Sequence, residues 1–260
     1  MMRTTQSKDG TLLAYDVYGS GPALLFITGA TCFRSSEFVL HDAQVLAESF
    51  SVYNYDRRGR GDSGNTLPYA IEREIEDIEA MIDAAGGTAY LYGHSSGAIL
   101  ALYVALRLGD KVKKLVLYDP SYANNEEDLS AFQELGQTIH ELLDQGQFED
   151  AIGSFLQGIG IPEQALIYMQ LSPQWNKTVA LAPSLAYDIA LASQLPPVEL
   201  AQQISIPTLV IVGEESPAAL HDVAGQLTRA IPNSRHIILS GQDHMPKPEK
   251  LLPKLENFLI

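Results

Sequence analysis

Cysteine and cationic side chains are what this chain most lacks. Cys32 is the only cysteine in 260 residues, and 17 Lys and Arg stand against 32 Asp and Glu. A single thiol excludes an intrachain disulfide and any cysteine-based zinc site. The resulting net charge of −15 repels nucleic acid and anionic membrane surfaces, since binding either needs clustered Lys and Arg. No stretch approaches the roughly 18 uninterrupted apolar residues of a transmembrane helix. Residues 1–6 lack the apolar run of a signal peptide, so a cytoplasmic protein is expected, with no nucleic-acid or membrane partner. Internal repeats and low-complexity tracts are also missing. Disorder is excluded by the composition, 46% hydrophobic and 19% charged.

What is there alternates. Asp9-Gly10 separates two extended runs and marks an opening hairpin. Short apolar runs of the kind buried in parallel sheets follow at residues 23–27, 51–55, 89–92, 115–118, 208–212 and 236–239. Between them, Ile71, Ile75, Ile78 and Ile82 recur at helical spacing and stop at Gly86-Gly87. Residues 98–108 are apolar nearly all round and end at Gly109, as in a helix packed inside the molecule. Strand and helix in succession predict a mostly parallel α/β sheet with helices on both faces. The alternation breaks over residues 120–205, where Phe132, Leu135, Ile139 and Leu142 mark a helix. Pro162, Pro173, Pro183 and Pro196-Pro197 punctuate the remainder. Such a segment is too long for a loop and too poor in strand for a second sheet. The expected organisation is a core of residues 1–119 and 206–260 with a helical cap, 120–205, inserted in it. Phe155, Tyr168, Met169 and Tyr187 of that cap suit either an apolar pocket or the cap's own core.

One motif carries chemistry. Gly93-His94-Ser95-Ser96-Gly97 is a G-x-S-x-G string, and it lies between a strand and a helix, the context a nucleophile elbow requires. The turn is so tight that side chains two before and two after the serine would clash. A serine hydroxyl is barely ionised at neutral pH and needs a base, for which imidazole is suited. Of the six histidines, His41 and His221 fall in amphipathic helices, His140 in the cap, and His236 at a strand start. His94 adjoins the nucleophile but is aimed elsewhere by the elbow, as a packing residue. Only His244 falls in a strand-to-helix loop at the carboxyl edge of the sheet.

The chain here resembles the α/β-hydrolase superfamily, over all but the cap. Asp56-Arg57-Arg58-Gly59-Arg60-Gly61-Asp62-Ser63 matches that superfamily's D-x-R-G-x-G-x-S segment, which is structural there, so Asp56 and Arg57 receive no catalytic role. His244 matches the family's catalytic histidine. The usual acid follows the seventh strand in a G-x-x-D segment, where this chain has Gly213-Glu214-Glu215-Ser216-Pro217. Ser216 cannot hold an imidazolium by charge. Asp119, ending the sixth strand just before Pro120, is the favoured replacement, with Glu214 and Glu215 as competitors and Asp243 adjoining the histidine. The resemblance implies an oxyanion hole of two backbone N–H groups. One is Ser96, at a helix N-terminus; the other is Ala30, in Thr28-Gly29-Ala30-Thr31, where the family often has His-Gly. Cys32, just beyond, reads as a buried inert thiol.

The reading is a serine carboxylic-ester hydrolase, of esterase or lipase type, acting through an acyl-enzyme on small to medium apolar esters. Ser95, His244 and Asp119 form the triad, without metal or cofactor. Aspartate-nucleophile chemistry is excluded, because Ser95 stands where dehalogenases and epoxide hydrolases carry aspartate. The same triad serves lactonases, C–C hydrolases, amide-cleaving enzymes and cofactor-free perhydrolases. Some relatives are ligand-binding receptors, an alternative that Ser216 keeps open.

Overall fold

An antiparallel hairpin opens the fold. Strands β1 (Arg3–Gln6) and β2 (Leu12–Tyr18) pair across a turn in which Gly10 adopts φ +89° and Asp9 Oδ1 accepts the Thr11 amide proton at 3.0 Å. This is a computed structural model, which describes residues 2–121, 125–193 and 198–260. The remaining strands are β3 (Ala23–Ile27), β4 (Ser51–Tyr55), β5 (Ala89–His94), β6 (Val112–Tyr118), β7 (Thr208–Gly213) and β8 (Ser234–Leu239). They form one sheet in the order β1-β2-β4-β3-β5-β6-β7-β8, parallel from β4 to β8. Order reverses at β3, which pairs with β4 on one side and β5 on the other, so the crevice opens at the carboxyl ends of β3 and β5.

The helices run in chain order from α1 (Glu37–Leu46), α2 (Ile71–Ala84) and α3 (Ser96–Arg107) through α4 (Glu126–Asp144), α5 (Phe148–Gly158), α6 (Glu163–Gln170), α7 (Trp175–Val179) and α8 (Leu185–Ser193) to α9 (Ala218–Ala230) and α10 (Pro248–Leu259). Side chains alternate across the buried strands. Leu115 and Leu117 of β6 face a cluster with Ile78, Met81 and Leu102 from α2 and α3. Val116 and Tyr118 face the opposite cluster, with Val39 and Leu46 of α1 and Leu251 and Leu255 of α10. Every residue of β7 is buried, as expected of an apolar run covered on both faces.

Among the described residues between β6 and β7 there is no strand. Helices α4–α8 bury a cluster of their own, including Ile139, Ile152, Phe155, Trp175 and Leu185. Phe155 belongs to that cluster and Met169 packs against it, while Tyr168 faces solvent and Tyr187 stacks on Tyr69 with ring centroids 3.9 Å apart. Pro162 precedes α6 and Pro183 lies in a short 3-10 turn; the expected break at Pro196-Pro197 lies outside the described residues. Several boundaries differ from the sequence expectation, β6 for one beginning at Val112 rather than Leu115. Helix α3 begins at Ser96, directly after the nucleophile candidate, and β8 begins at Ser234, so His236 is its third residue rather than its first.

A testable feature lies on α1. Burial pushes the half-buried Asp42 carboxyl up to about 7, with His41 opposing and Glu249 adding to the shift. A folded-state pKa above the unfolded one gives stability that is whole below about pH 4 and lost as pH rises through 7. Asp42→Asn should therefore melt like wild type near pH 4 and increasingly above it by pH 8, by differential scanning fluorimetry. A pH-independent difference would contradict this.

Candidate active site

The turn after β5 is as tight as its glycines imply. Ser95 sits at φ 57° and ψ −125°, a backbone region that residues other than glycine seldom adopt. A Cβ on Gly93 would lie 2.5 Å from the Gly97 carbonyl oxygen, and one on Gly97 would lie 2.2 Å from the Ile27 oxygen. Close packing of the turn on the start of α3 thus forces Gly93, and its passage against the end of β3 forces Gly97. The loop after β3 crosses directly over Ser95, with the Gly29 Cβ position 2.9 Å from Ser95 Cβ.

Three side chains from separate loops meet here. Ser95 Oγ lies 3.1 Å from His244 Nε2, and His244 Nδ1 lies 2.9 Å from Asp119 Oδ2. A carboxylate only accepts, so Nδ1 carries the proton and Nε2 is free to receive the serine's. Asp119 is fully buried, directly after β6. Its Oδ1 accepts the Gly213 amide proton at 3.1 Å, and its Oδ2 accepts from the Ser216 hydroxyl at 2.6 Å. Ser216 is thus a donor to the carboxylate. Glu214 and Glu215 are exposed, and Glu214 Oε2 instead accepts the Gly241 amide proton at 2.7 Å. Asp243 is also exposed, its Oδ1 accepting from the Met245 amide.

His94 points away from the nucleophile. Its Nε2–H donates to the His244 carbonyl at 2.7 Å, which fixes the loop carrying the imidazole. Burial, reinforced by the neighbouring His244 ring, holds its pKa down to about 4, so it is neutral near pH 7. His41 pairs with Glu249 at 3.0 Å and His140 with the Gly136 carbonyl at 2.7 Å. Burial pushes the Cys32 thiol up to about 12, which keeps it protonated and a poor nucleophile.

On the oxyanion side, Ser96 is the first residue of α3, where no carbonyl lies one turn back to accept its amide proton. Ala30 lies in the crossing loop, between Gly29 and Thr31 at φ 55°. Asp56 accepts the amide protons of Arg34 and Asp62 at 2.6 and 2.9 Å, holding that loop and its own turn. Arg57 is wholly buried, bidentate on Glu74 at 2.7 Å and 3.0 Å from Asp188 of α8.

Sequence reasoning missed three groups at the site. Ser121 Oγ lies 3.1 Å from Ser95 Oγ; with the Ser95 proton directed at the imidazole, Ser121 is the donor of that pair. Nothing marked Ser121 except its position two residues beyond Asp119. Asp188 and Arg60 form the second surprise, a buried ion pair at 2.7 Å. An acid within the apolar stretch Leu185-Ala186-Tyr187-Asp188-Ile189-Ala190-Leu191 was the available signal, because such a residue is seldom buried unpaired.

The profile of the α/β hydrolase fold family matches residues 22–251 of the chain. An α/β hydrolase crystal structure from Sphaerobacter thermophilus is 39% identical and superposes with a TM-score of 0.89, covering 99% of this chain and 100% of that one. A 2-(acetamidomethylene)succinate hydrolase from Mesorhizobium japonicum is 28% identical over 93% of this chain and 89% of its own length. An esterase from Rhodococcus is 22% identical with a TM-score of 0.74, over 99% of this chain and 98% of that one, a likeness of fold. The chain belongs to the α/β-hydrolase family.

The position of the acid can be tested directly. Asp119→Asn should lower kcat for ester hydrolysis by roughly 10²-fold or more, since it favours the wrong imidazole tautomer and removes the charge facing the imidazolium. Glu214→Gln and Glu215→Gln should each cost less than about tenfold. Adding Ser216→Asp to Asp119→Asn should recover part of the rate, because Ser216 Oγ already touches the oxygen that meets the ring. Near-normal turnover by Asp119→Asn, with collapse in a glutamine variant, would assign the acid to that glutamate.

Proposed function

We propose that this member of the α/β-hydrolase family is a serine carboxylic-ester hydrolase working through an acyl-enzyme, on small to medium apolar esters. The observation that carries the proposal is the hydrogen-bonded relay from Ser95 through His244 to Asp119, with contacts of 3.1 and 2.9 Å. His244 takes the Ser95 proton as Oγ attacks the ester carbonyl carbon. The negative charge on the carbonyl oxygen is met by the amides of Ala30 and Ser96, at the positive end of α3. His244 then gives the proton to the leaving alcohol, and the acyl group stays on Ser95. Water attacks that acyl-enzyme with His244 as base, which frees the acid and restores the serine. Helices α4–α8 act as the cap over this chemistry, and α8 reaches the elbow itself, since Asp188 accepts the Ser96 hydroxyl proton at 2.8 Å.

A ligand-binding receptor would need no activated serine. Purified protein should therefore be labelled by a fluorophosphonate, with the adduct on Ser95, and Ser95→Ala should lose labelling together with p-nitrophenyl butyrate hydrolysis, by about 10⁴-fold or more. Hydrolysis surviving in Ser95→Ala would refute the proposal. In wild type, kcat/KM should fall towards acid, because a general base that is already protonated cannot accept the Ser95 proton. Burial, with the His244 ring beside it, holds the His94 pKa down to about 4, so that ring takes up its proton only at the acid end of such a profile. A profile flat to pH 4 would exclude histidine as the base.

A further inference from the structure

We infer that Asp188, on cap helix α8, is a positioning residue that orients both amides of the oxyanion hole. The inference rests on the esterase reading above and names a group outside the triad. Asp188 is 2% exposed. Its Oδ1 accepts from Ser96 Oγ at 2.8 Å and from Arg57 Nη1 at 3.0 Å, and its Oδ2 accepts from Arg60 Nη2 at 2.7 Å. The two guanidinium groups reach onward to the loop over Ser95. Arg60 Nη1 donates to the Gly29 carbonyl at 2.6 Å, and Arg57 Nη1 to the Thr28 carbonyl at 3.4 Å.

The Gly29 carbonyl and the Ala30 N–H are two ends of one planar peptide unit. That peptide is trans, so its C=O and N–H point in opposite directions and fixing one aims the other. A guanidinium on the carbonyl oxygen also draws electron density from the amide, which makes the N–H a stronger donor. On the other side of the hole, the Ser96 side chain is held by Asp188 at the very residue whose N–H is the second donor. A single carboxylate from the cap thus sets both donors, one through Arg60 and one through Ser96.

Charge balance explains why a carboxylate is needed at this position. Arg57 and Arg60 bring two positive charges into a buried region, while Glu74 and Asp188 bring two negative ones. Asparagine at 188 can accept from one guanidinium but turns an NH₂ group on its neighbours. The hole then loses its fixed geometry while Ser95, His244 and Asp119 keep theirs.

The test compares Asp188→Asn with wild type on p-nitrophenyl butyrate, together with the affinity for a trifluoromethyl ketone, whose hemiketal oxyanion fills the hole. Loss of one oxyanion donor costs about 10²–10³ in kcat. We expect kcat and ketone affinity to fall together by about 10²-fold, with KM changed less than about threefold. Should Asp188→Asn fail to fold, the charge-neutral double variant Asp188→Asn with Arg60→Met serves in its place, with the same expectation. Tyr187→Phe removes a polar tie of α8 that does not involve Asp188, its 2.9 Å bond to Asn65; it should lower Tm and leave kcat within threefold. A folded Asp188 variant with kcat and ketone affinity both within threefold of wild type overturns the inference. So does an equal loss of kcat in Tyr187→Phe, which would make α8 docking alone the cause. The rate of Ser95 labelling by a fluorophosphonate, whose P=O enters the same hole, needs no ester turnover. If wild type is labelled but hydrolyses no carboxylic ester, the proposed activity fails, and a labelling rate about 10²-fold slower in Asp188→Asn still upholds the positioning role.

Discussion

Three guanidinium groups packed into one turn set the terms for much of this structure. Arg57, Arg58 and Arg60 are each at most 1% exposed, and an ion taken out of water costs several kcal/mol unless it is paired and hydrogen-bonded. The partners come from far along the chain. Arg58 is bidentate on Asp77 at 2.7 Å and also meets Asp9 of the opening hairpin, while Arg57 meets Glu74 of α2 and Asp188 of α8. Removing one partner from such a pair costs about 3–5 kcal/mol, whereas apolar residues of like volume often serve stability as well. Stability alone therefore does not account for four buried charges beside Ser95. Their donors end on the carbonyls of Thr28 and Gly29, and the order they impose on that loop is what a fully apolar core could not supply.

Backbone strain follows the same map. Among the described residues, the non-glycine positions with positive φ are Thr31 at 55°, Ser95 at 57° and Asp119 at 44°. They follow β3, β5 and β6, three adjacent strands, at the same edge of the sheet. Each such conformation costs of order 1–3 kcal/mol, so the surrounding packing must hold it. At Ser95 the holding contacts are the ladder bond from its amide to the Tyr118 carbonyl, 3.0 Å, and the helix that starts one residue later. At Asp119 they are the amide bond to the Ile211 carbonyl at 2.9 Å and the carboxylate bonds to Gly213 and Ser216. The sheet, a fully buried and rigid element, is what keeps three disfavoured turns in register.

Periodicity made the sheet legible, because β3, β5, β6 and β7 are apolar runs covered on both faces and no other element type reads that way at such lengths. Gly93 and Gly97 made the elbow legible, since their spacing is a steric requirement. His244 could be ranked above five other histidines from its loop alone, and the structure sets its ring between Ser95 and Asp119. Partners that come from distant, unpatterned positions were not legible. Asp188 lies 131 positions from Arg57 in the chain, and no local pattern tells a buried paired acid from a solvated one. Ser121 escaped for a similar reason: a hydroxyl in a turn is the commonest of turn residues, and only the fold places this one against Ser95.

The exchange between Asp119 and Ser216 has a simple electrostatic basis. Carboxyl groups at both positions would bring two oxygens to the 2.6 Å now spanned by the Ser216 hydroxyl and Asp119 Oδ2, and two carboxylates that close cannot both ionise at neutral pH. One of them would have to hold a proton, and the imidazolium would face a diminished charge. A hydroxyl in the second slot removes the repulsion and supplies a donor, so the single carboxylate is held by Gly213, Ser216 and His244 at once. Acid and serine are thus complementary occupants of two adjacent strand ends, and a change at one end constrains the other. A serine at 216 is therefore consistent with the proposed triad, since the imidazole meets a carboxylate from the neighbouring strand.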